Sequence, residues 1–170
     1  VASIATAKKN NSGMQRVAFN AKLLPVNVFD GQDPPSHFST YGSSPYGIAY
    51  AAYNGAEVIN MSWGFSNLDH SSVQVTIGDA TYNFYKSYMS SEFNYAVAQD
   101  MVMVAATAND GYTDHVSMPA VFAQDADLHG DMIAVGAVDS SGNIASFSNR
   151  CSQAADFCLV APGVNIYAGV

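Results

Sequence analysis

Asn109 is the side chain whose type and place in this sequence first suggest chemistry. It closes the run Met101-Val-Met-Val-Ala-Ala-Thr-Ala108, in which large apolar residues give way to small ones. Small residues at the carboxyl end of a strand let another chain or a ligand come close to the backbone. Ligands of open α/β sheets bind at that edge. A side-chain amide there can donate a hydrogen bond without carrying a titratable charge, which Asp110 beside it cannot do. The plainer alternative is that Asn109 only starts a turn with Asp110 and Gly111. This stretch alone leaves both open. Met101 to Val104 has no polar partner on either face and reads as a strand buried in a parallel sheet, although periodicity alone does not exclude a buried helical turn.

The other groups able to do chemistry are few. Cys151 and Cys158 stand a short loop apart, with no second cysteine pair or Cys/His cluster near them, so no zinc site is expected. A local disulfide or two free buried thiols remain. Low charge with plentiful Ser, Asn and Tyr favours the disulfide and an oxidising compartment. His37, His70, His115 and His129 all fall in loop-like stretches.

Charged residues make up 12% of the chain, about half the usual share. Half of the residues are apolar, so 170 residues can bury a substantial single core. The net charge of −8 and only six Lys and Arg give no basic face, which argues against nucleic acid as a partner. No apolar run approaches the roughly 18 residues that a membrane span needs, and no basic, apolar and small-residue leader opens the sequence.

These groups need a frame to position them. Val1 to Lys9 is helical in composition but lacks an N-cap residue before it, and Asn10-Asn-Ser-Gly13 ends it with turn chemistry. Ala21 to Phe29 reads as extended, with Pro25 pointing to an edge or a bulge. Asp30 to Tyr41 reads as an exposed loop. Ser44-Pro45 supplies an N-cap and first-turn proline for a helix over Tyr46 to Asn54, closed by Gly55. Ala56 to Gly64 is a second strong strand. Val73 to Ile77 alternates and is expected to form a hairpin arm with Tyr82 to Tyr85, turning at Gly78-Asp79, within a surface excursion over about 65–91. Ser91 to Gln99 is a helix that returns the chain to the central strand. Met118-Pro119-Ala120 marks a turn, and Met132 to Val138 is the third buried strand. Ile144 to Phe147 and Phe157 to Val160 are short strands. Strand, helix and strand with short links imply right-handed parallel crossovers. The expected fold is therefore α/β, a doubly wound, mostly parallel sheet with helices on both faces, in one domain. A nucleotide-binding domain of this class would need a Gly-rich strand-to-helix turn. Gly136-Ala-Val-Asp-Ser-Ser-Gly142 is too loose to be one.

Taken in order, the segments resemble the subtilisin-like serine peptidases. Val1 to Ala7 is similar to the continuation of the helix that carries the family's catalytic histidine, and Asn10-Asn-Ser-Gly13 followed by Val17 to Val26 to its next loop and strand. Gly55-Ala-Glu-Val-Ile-Asn-Met-Ser-Trp-Gly64 resembles the substrate-binding strand, and Met103 to Gly111 the strand ending in the oxyanion-hole asparagine. Ile133 to Asn149 and Val160-Ala-Pro-Gly-Val-Asn-Ile-Tyr167 are the most specific matches. The resemblance covers nearly everything except about 65–91. Asn149-Arg-Cys151 with Cys158-Leu-Val-Ala-Pro-Gly163 looks most like the subtilases of Gram-negative autotransporters.

The resemblance implies the central part of a secreted or cell-surface serine endopeptidase, residues 1–170, acting on a peptide or protein substrate. Asn109 would be its oxyanion donor. Ser62, Trp63 and Gly64 would form one wall of the substrate cleft and Ala106, Thr107 and Ala108 the other, with Thr107 and Ala108 narrowing the slot between them. Trp63 is equally readable as core. The family's aspartate and histidine would precede Val1 and its serine would follow Val170, so these residues alone are expected to be inactive. None of the four histidines matches a triad position. Ala108 replaces the glycine that usually precedes the asparagine, and Arg16 another usual glycine. The loop over Asn10 to Gln15 is one residue short of the form that binds calcium in some members, so neither a metal nor another cofactor is expected. The alternative is a subtilase-like frame kept for binding only.

Overall fold

Four parallel strands in the order β1-β2-β3-β4 carry the candidate site: β1 (Val58–Met61), β2 (Val102–Ala106), β3 (Met132–Val138) and β4 (Cys158–Pro162). They belong to a computed structural model, which describes residues 2–6, 17–18, 20–28, 43–65, 74–128 and 130–167. The parallel sheet with its helices is the α/β architecture expected from the sequence.

Burial alternates along β2 and β3. On one face Met61, Met103, Ala105, Met132 and Ala134 are wholly buried. On the other, Val102, Val104, Ile133 and Val135 are half-buried. The continuous apolar run thus describes one sealed face and one partly covered one. Methionine suits the sealed face because its unbranched thioether fits irregular gaps.

Within the first helical stretch of the sequence, α1 covers Ala2–Thr6. Helix α2 (Ser43–Tyr53) begins slightly earlier than the Ser44-Pro45 signal indicates and is followed by a turn at Gly55, whose φ of 74° is the left-handed conformation glycine adopts without strain. At Gly47 an added Cβ would stand 2.6 Å from the Val28 side chain, so glycine lets this helix lie against the extended segment 20–28. Among the described residues that segment, which includes Pro25, pairs with no strand.

Helix α3 (Ala80–Ala98) overturns the expected hairpin. Gly78 and Asp79 do not turn one strand into another. Asp79 caps the helix, accepting from the Tyr82 amide at 2.6 Å through one oxygen and from the Thr76 amide at 2.9 Å through the other. The aromatic residues Tyr82 to Tyr85, typical of strands, sit on a helix because Tyr82, Met89, Phe93 and Ala96 recur at helical spacing and are buried together. From Ala80 onward the stretch read as a surface excursion therefore belongs to the core. Tyr82 and Phe93 both meet Phe122 in the 3-10 turn Ala120–Gln124, with ring centroids 5.3 and 5.7 Å apart. Beside them the buried Asp125 accepts from Tyr82 Oη at 2.8 Å and pairs with Lys86 Nζ at 2.6 Å. Burial alone would raise the Asp125 pKa, but these two donors hold it below the usual carboxylate value.

Two further strand expectations shrink. Ile144 to Phe147 contributes only an isolated antiparallel bridge from Ile144 to Val138. The last strand runs from Cys158 to Pro162, shifted toward the carboxyl end from Phe157 to Val160. The loops over Asn10 to Gln15 and Asp30 to Tyr41, and the residues His37, His70 and His129, lie outside the described residues. So do Val1, Ala7 to Lys9 and Val73.

Candidate active site

The carboxyl ends of β1 and β2 lie side by side, their last paired residues being Met61 and Ala105. The two predicted walls, Ser62 to Gly64 and Ala106 to Ala108, continue directly from that pair. The fold therefore brings the sequence-predicted residues to one edge of the sheet.

The first wall is shaped mainly by its own neighbours. Asn60 Nδ2 donates to Ser62 Oγ at 2.7 Å. Trp63 is half-buried and meets Phe65 edge-on, with ring centroids 5.8 Å apart, so part of its surface serves the core. Gly64 lies in a tight place. A Cβ there would stand 3.1 Å from the Met118 carbonyl oxygen and 3.3 Å from Ser117 Oγ. Ser117 also reaches the second wall, since its amide donates to the Thr107 carbonyl at 3.2 Å. The turn at Met118-Pro119, which contains a cis peptide bond, thus lies behind both walls.

The second wall is held from a distance. Thr107 is 1% exposed. Its amide donates to the Val135 carbonyl at 3.1 Å and its hydroxyl to the Asn149 carbonyl at 3.0 Å. With carbonyl, amide and hydroxyl engaged, Thr107 braces the wall, and its side chain does not narrow a slot. Ala108 has φ of 86°, a conformation that costs a residue with a Cβ roughly 1–3 kcal/mol. The glycine usual at this position in the resemblance is explained by that angle. Gly111 has φ of 71°, and a Cβ there would meet the Ser146 carbonyl oxygen at 2.8 Å. Its amide donates to the Phe147 carbonyl at 2.7 Å.

Asn109 sits at the top of this turn with its side chain exposed to solvent. Among the described residues no hydrogen-bonding partner engages its amide. An exposed donor on a loop whose backbone is tied down on both sides can offer a hydrogen bond to a bound group without first breaking one.

Sequence reasoning assigned no role to Asn149, although it lies inside the Ile133 to Asn149 match. It is 1% exposed. Its Oδ1 accepts from the amides of Asp110 and Tyr112 at 3.0 and 3.2 Å, and its backbone amide donates to the Ala108 carbonyl at 3.0 Å. Ser148 adds a second tie. Its hydroxyl accepts from the Ala137 amide at 2.9 Å and donates to the Asn149 carbonyl at 3.1 Å, which ties this segment to β3. A polar Ser-Asn pair after an apolar Phe147 was the available signal, but nothing in the sequence said which loop it would meet.

Cys151 and Cys158 form a disulfide across the 3-10 turn Ser152–Phe157, joining the end of the Asn149 segment to the start of β4. His115 is a loop residue whose Nδ1 lies 2.8 Å from Asp114 Oδ1. Among the described residues no group of three or more His, Cys, Asp or Glu side chains converges as a metal site would require. No helix among them is long and apolar enough to cross a membrane.

An open parallel sheet with two bare strand ends side by side, one closed by an exposed asparagine, defines an α/β domain of the class whose ligands bind at the carboxyl edge of the sheet. The chain belongs to the subtilase family, peptidase S8, which it matches over residues 1–170. It is 33% identical to subtilisin DY of Bacillus licheniformis over 171 residues, covering 99% of this chain and 51% of that protein. It is 32% identical to the thermophilic serine proteinase of Bacillus sp. strain AK1, covering 100% of this chain and 35% of the relative. The chain thus spans about half or less of the length of these relatives. In fold it is similar to the prenylagaramide maturation protease PagA, with a TM-score of 0.74, 24% identity, and coverage of 99% of this chain and 52% of that one. The protease domain of PatA, as its S218A mutant, gives a TM-score of 0.69 at 24% identity, covering 95% of this chain and 50% of that one.

Proposed function

We propose that residues 1–170 are the central part of the catalytic domain of a secreted serine endopeptidase, which hydrolyses peptide or protein substrates through a Ser/His/Asp triad supplied by residues outside this stretch. The observation that carries the proposal is the exposed Asn109 amide, held at the carboxyl end of the central strand on a loop tied at Ala108, Asp110 and Tyr112. Attack of a serine on a peptide carbonyl places negative charge on the former carbonyl oxygen. A preorganised amide donor stabilises that charge in the transition state by about 3–4 kcal/mol, a magnitude established by mutation in a subtilisin, itself a member of this family.

An extended substrate would add as a strand along Ser62, Trp63 and Gly64, using main-chain hydrogen bonds. Ala106 and Ala108 would line the opposite wall, with Thr107 bracing it from behind. The disulfide fits a protein that works in an oxidising compartment.

Labelling with a fluorophosphonate probe and hydrolysis of casein test the assignment. The full-length protein containing these residues should do both, and residues 1–170 alone should do neither. Labelling of residues 1–170 alone would place the nucleophile among them and overturn the assignment of the triad. A full-length protein that binds peptide but is neither labelled nor active would show the frame to be a binding domain.

A further inference from the structure

We infer that Asn149 is a positioning residue for the Asn109 donor, a role that rests on Asn109 acting at the oxyanion as proposed above. The geometry is specific to the loop. Asn149 reaches both flanks of Asn109 at once: its backbone amide holds the Ala108 carbonyl on one side, and its Oδ1 receives the Asp110 and Tyr112 amides on the other. Its carbonyl in turn is gripped by the hydroxyls of Thr107 and Ser148. Arg150 adds a bond from its amide to the Tyr112 carbonyl at 2.9 Å, and Gly111 one to Phe147 at 2.7 Å. Residues 107–112 are therefore fastened to residues 147–150 at nearly every step except Asn109.

Two physical facts make this a device for placement. Ala108 carries the turn through φ of 86°, which an L-residue resists and which the loop keeps only if its surroundings hold it there. Asn149 is 1% exposed, so its own side chain is shielded from water, and the part-buried Asp110 and Tyr112 amides would lose this acceptor without it. Losing Oδ1 frees the Asp110 and Tyr112 amides and lets the turn relax toward φ below zero at Ala108. The Asn109 amide then swings away from where it must point. A donor displaced by about 1 Å can cost up to about 100-fold in rate.

The test is a double-mutant cycle in the full-length enzyme, with thermal melting to establish folding. Asn149→Ala should lower kcat about tenfold while KM for a peptide substrate stays within about twofold, because the bond to the oxyanion forms only in the transition state. In an Asn109→Ala background the same substitution should change kcat by less than about twofold, since there is no donor left to misplace. An equal loss of kcat in both backgrounds, or a loss expressed in KM, overturns the positioning role and makes Asn149 a structural residue only. A full kcat in Asn109→Ala itself would instead remove the oxyanion assignment on which the inference stands. Should Asn149→Ala not fold, Thr107→Val, which deletes only the hydroxyl bond to the Asn149 carbonyl, enters the same cycle with an expected loss of about threefold. Additivity overturns the inference equally there.

Discussion

The two walls of the candidate cleft look alike in sequence and are built differently. Ser62 to Gly64 and Ala106 to Ala108 are both small-residue continuations of apolar strands. Among the described residues the first is shaped mainly within its own strand end, by Asn60 on Ser62 and by Phe65 against Trp63, and touches its neighbour through Gly64. The second is held by a segment some forty residues further along the chain, through Thr107 and the loop beyond it. The difference separates two tasks. A wall that binds main chain needs only a clear path for a strand. Under the proposed function the second wall ends in the oxyanion donor, whose angle must be fixed, and long-range bonds to the buried Asn149 are placed to fix it.

Substitutions on the two walls should therefore fail in different ways. The largest effect is expected at Asn109. In the full-length enzyme Asn109→Ala should lower kcat by roughly 10²–10³ with KM nearly unchanged and the fold intact, whereas Asp110→Asn next door should stay within a few-fold. A folded Asn109→Ala enzyme with undiminished kcat would make the turn an ordinary one and erase the contrast between the walls.

The cysteine bridge sharpens the comparison, because it secures the far side of the segment that holds the second wall. Replacing both cysteines by serine should lower stability by about 2.5 kcal/mol, as expected for closing so short a loop. Denaturant melts measure that loss. Intact mass with thiol alkylation before and after reduction checks the bridge itself, and two alkylatable thiols in the non-reduced protein would contradict it.

Two glycines give the next test. Gly111→Ala combines a left-handed φ with a contact at 2.8 Å to the Ser146 backbone, and should destabilise by about 2 kcal/mol. Gly64→Ala meets Met118 at 3.1 Å without a left-handed backbone, so its cost in stability should be smaller and its effect should appear in KM. Equal losses of stability, with KM unmoved at Gly64, would mean that the first wall is as firmly clamped as the second.

The smallest change expected is a gain. Ala108→Gly relieves the φ of 86° and should stabilise by about 1 kcal/mol, read as a raised melting temperature. A loss instead would show that the alanine side chain contributes packing worth more than its strain.

The parallel sheet, and the strand ends at which the site is proposed, were legible in the residues alone. Met132 to Val138 and the apolar run into Ala106 read as strands because burial demands apolar residues there, and Asn109 and Gly64 read as strand-end residues because small side chains mark close approach. Family motifs at Asn109 and in Ile133 to Asn149 pointed to the chemistry proposed above. Only the tertiary structure decided the rest. Tyr82 to Tyr85 went to a helix because Asp79 capped it and Phe122 waited for its buried face, a contact that aromatic strand propensity does not encode. Thr107 turned from a lining residue into a brace because Asn149 and Val135 came within hydrogen-bonding distance. Asn149 itself gave no sign of its partners, since hydrogen bonds between segments forty residues apart depend on where β2 and β3 lie side by side and on nothing local to either sequence.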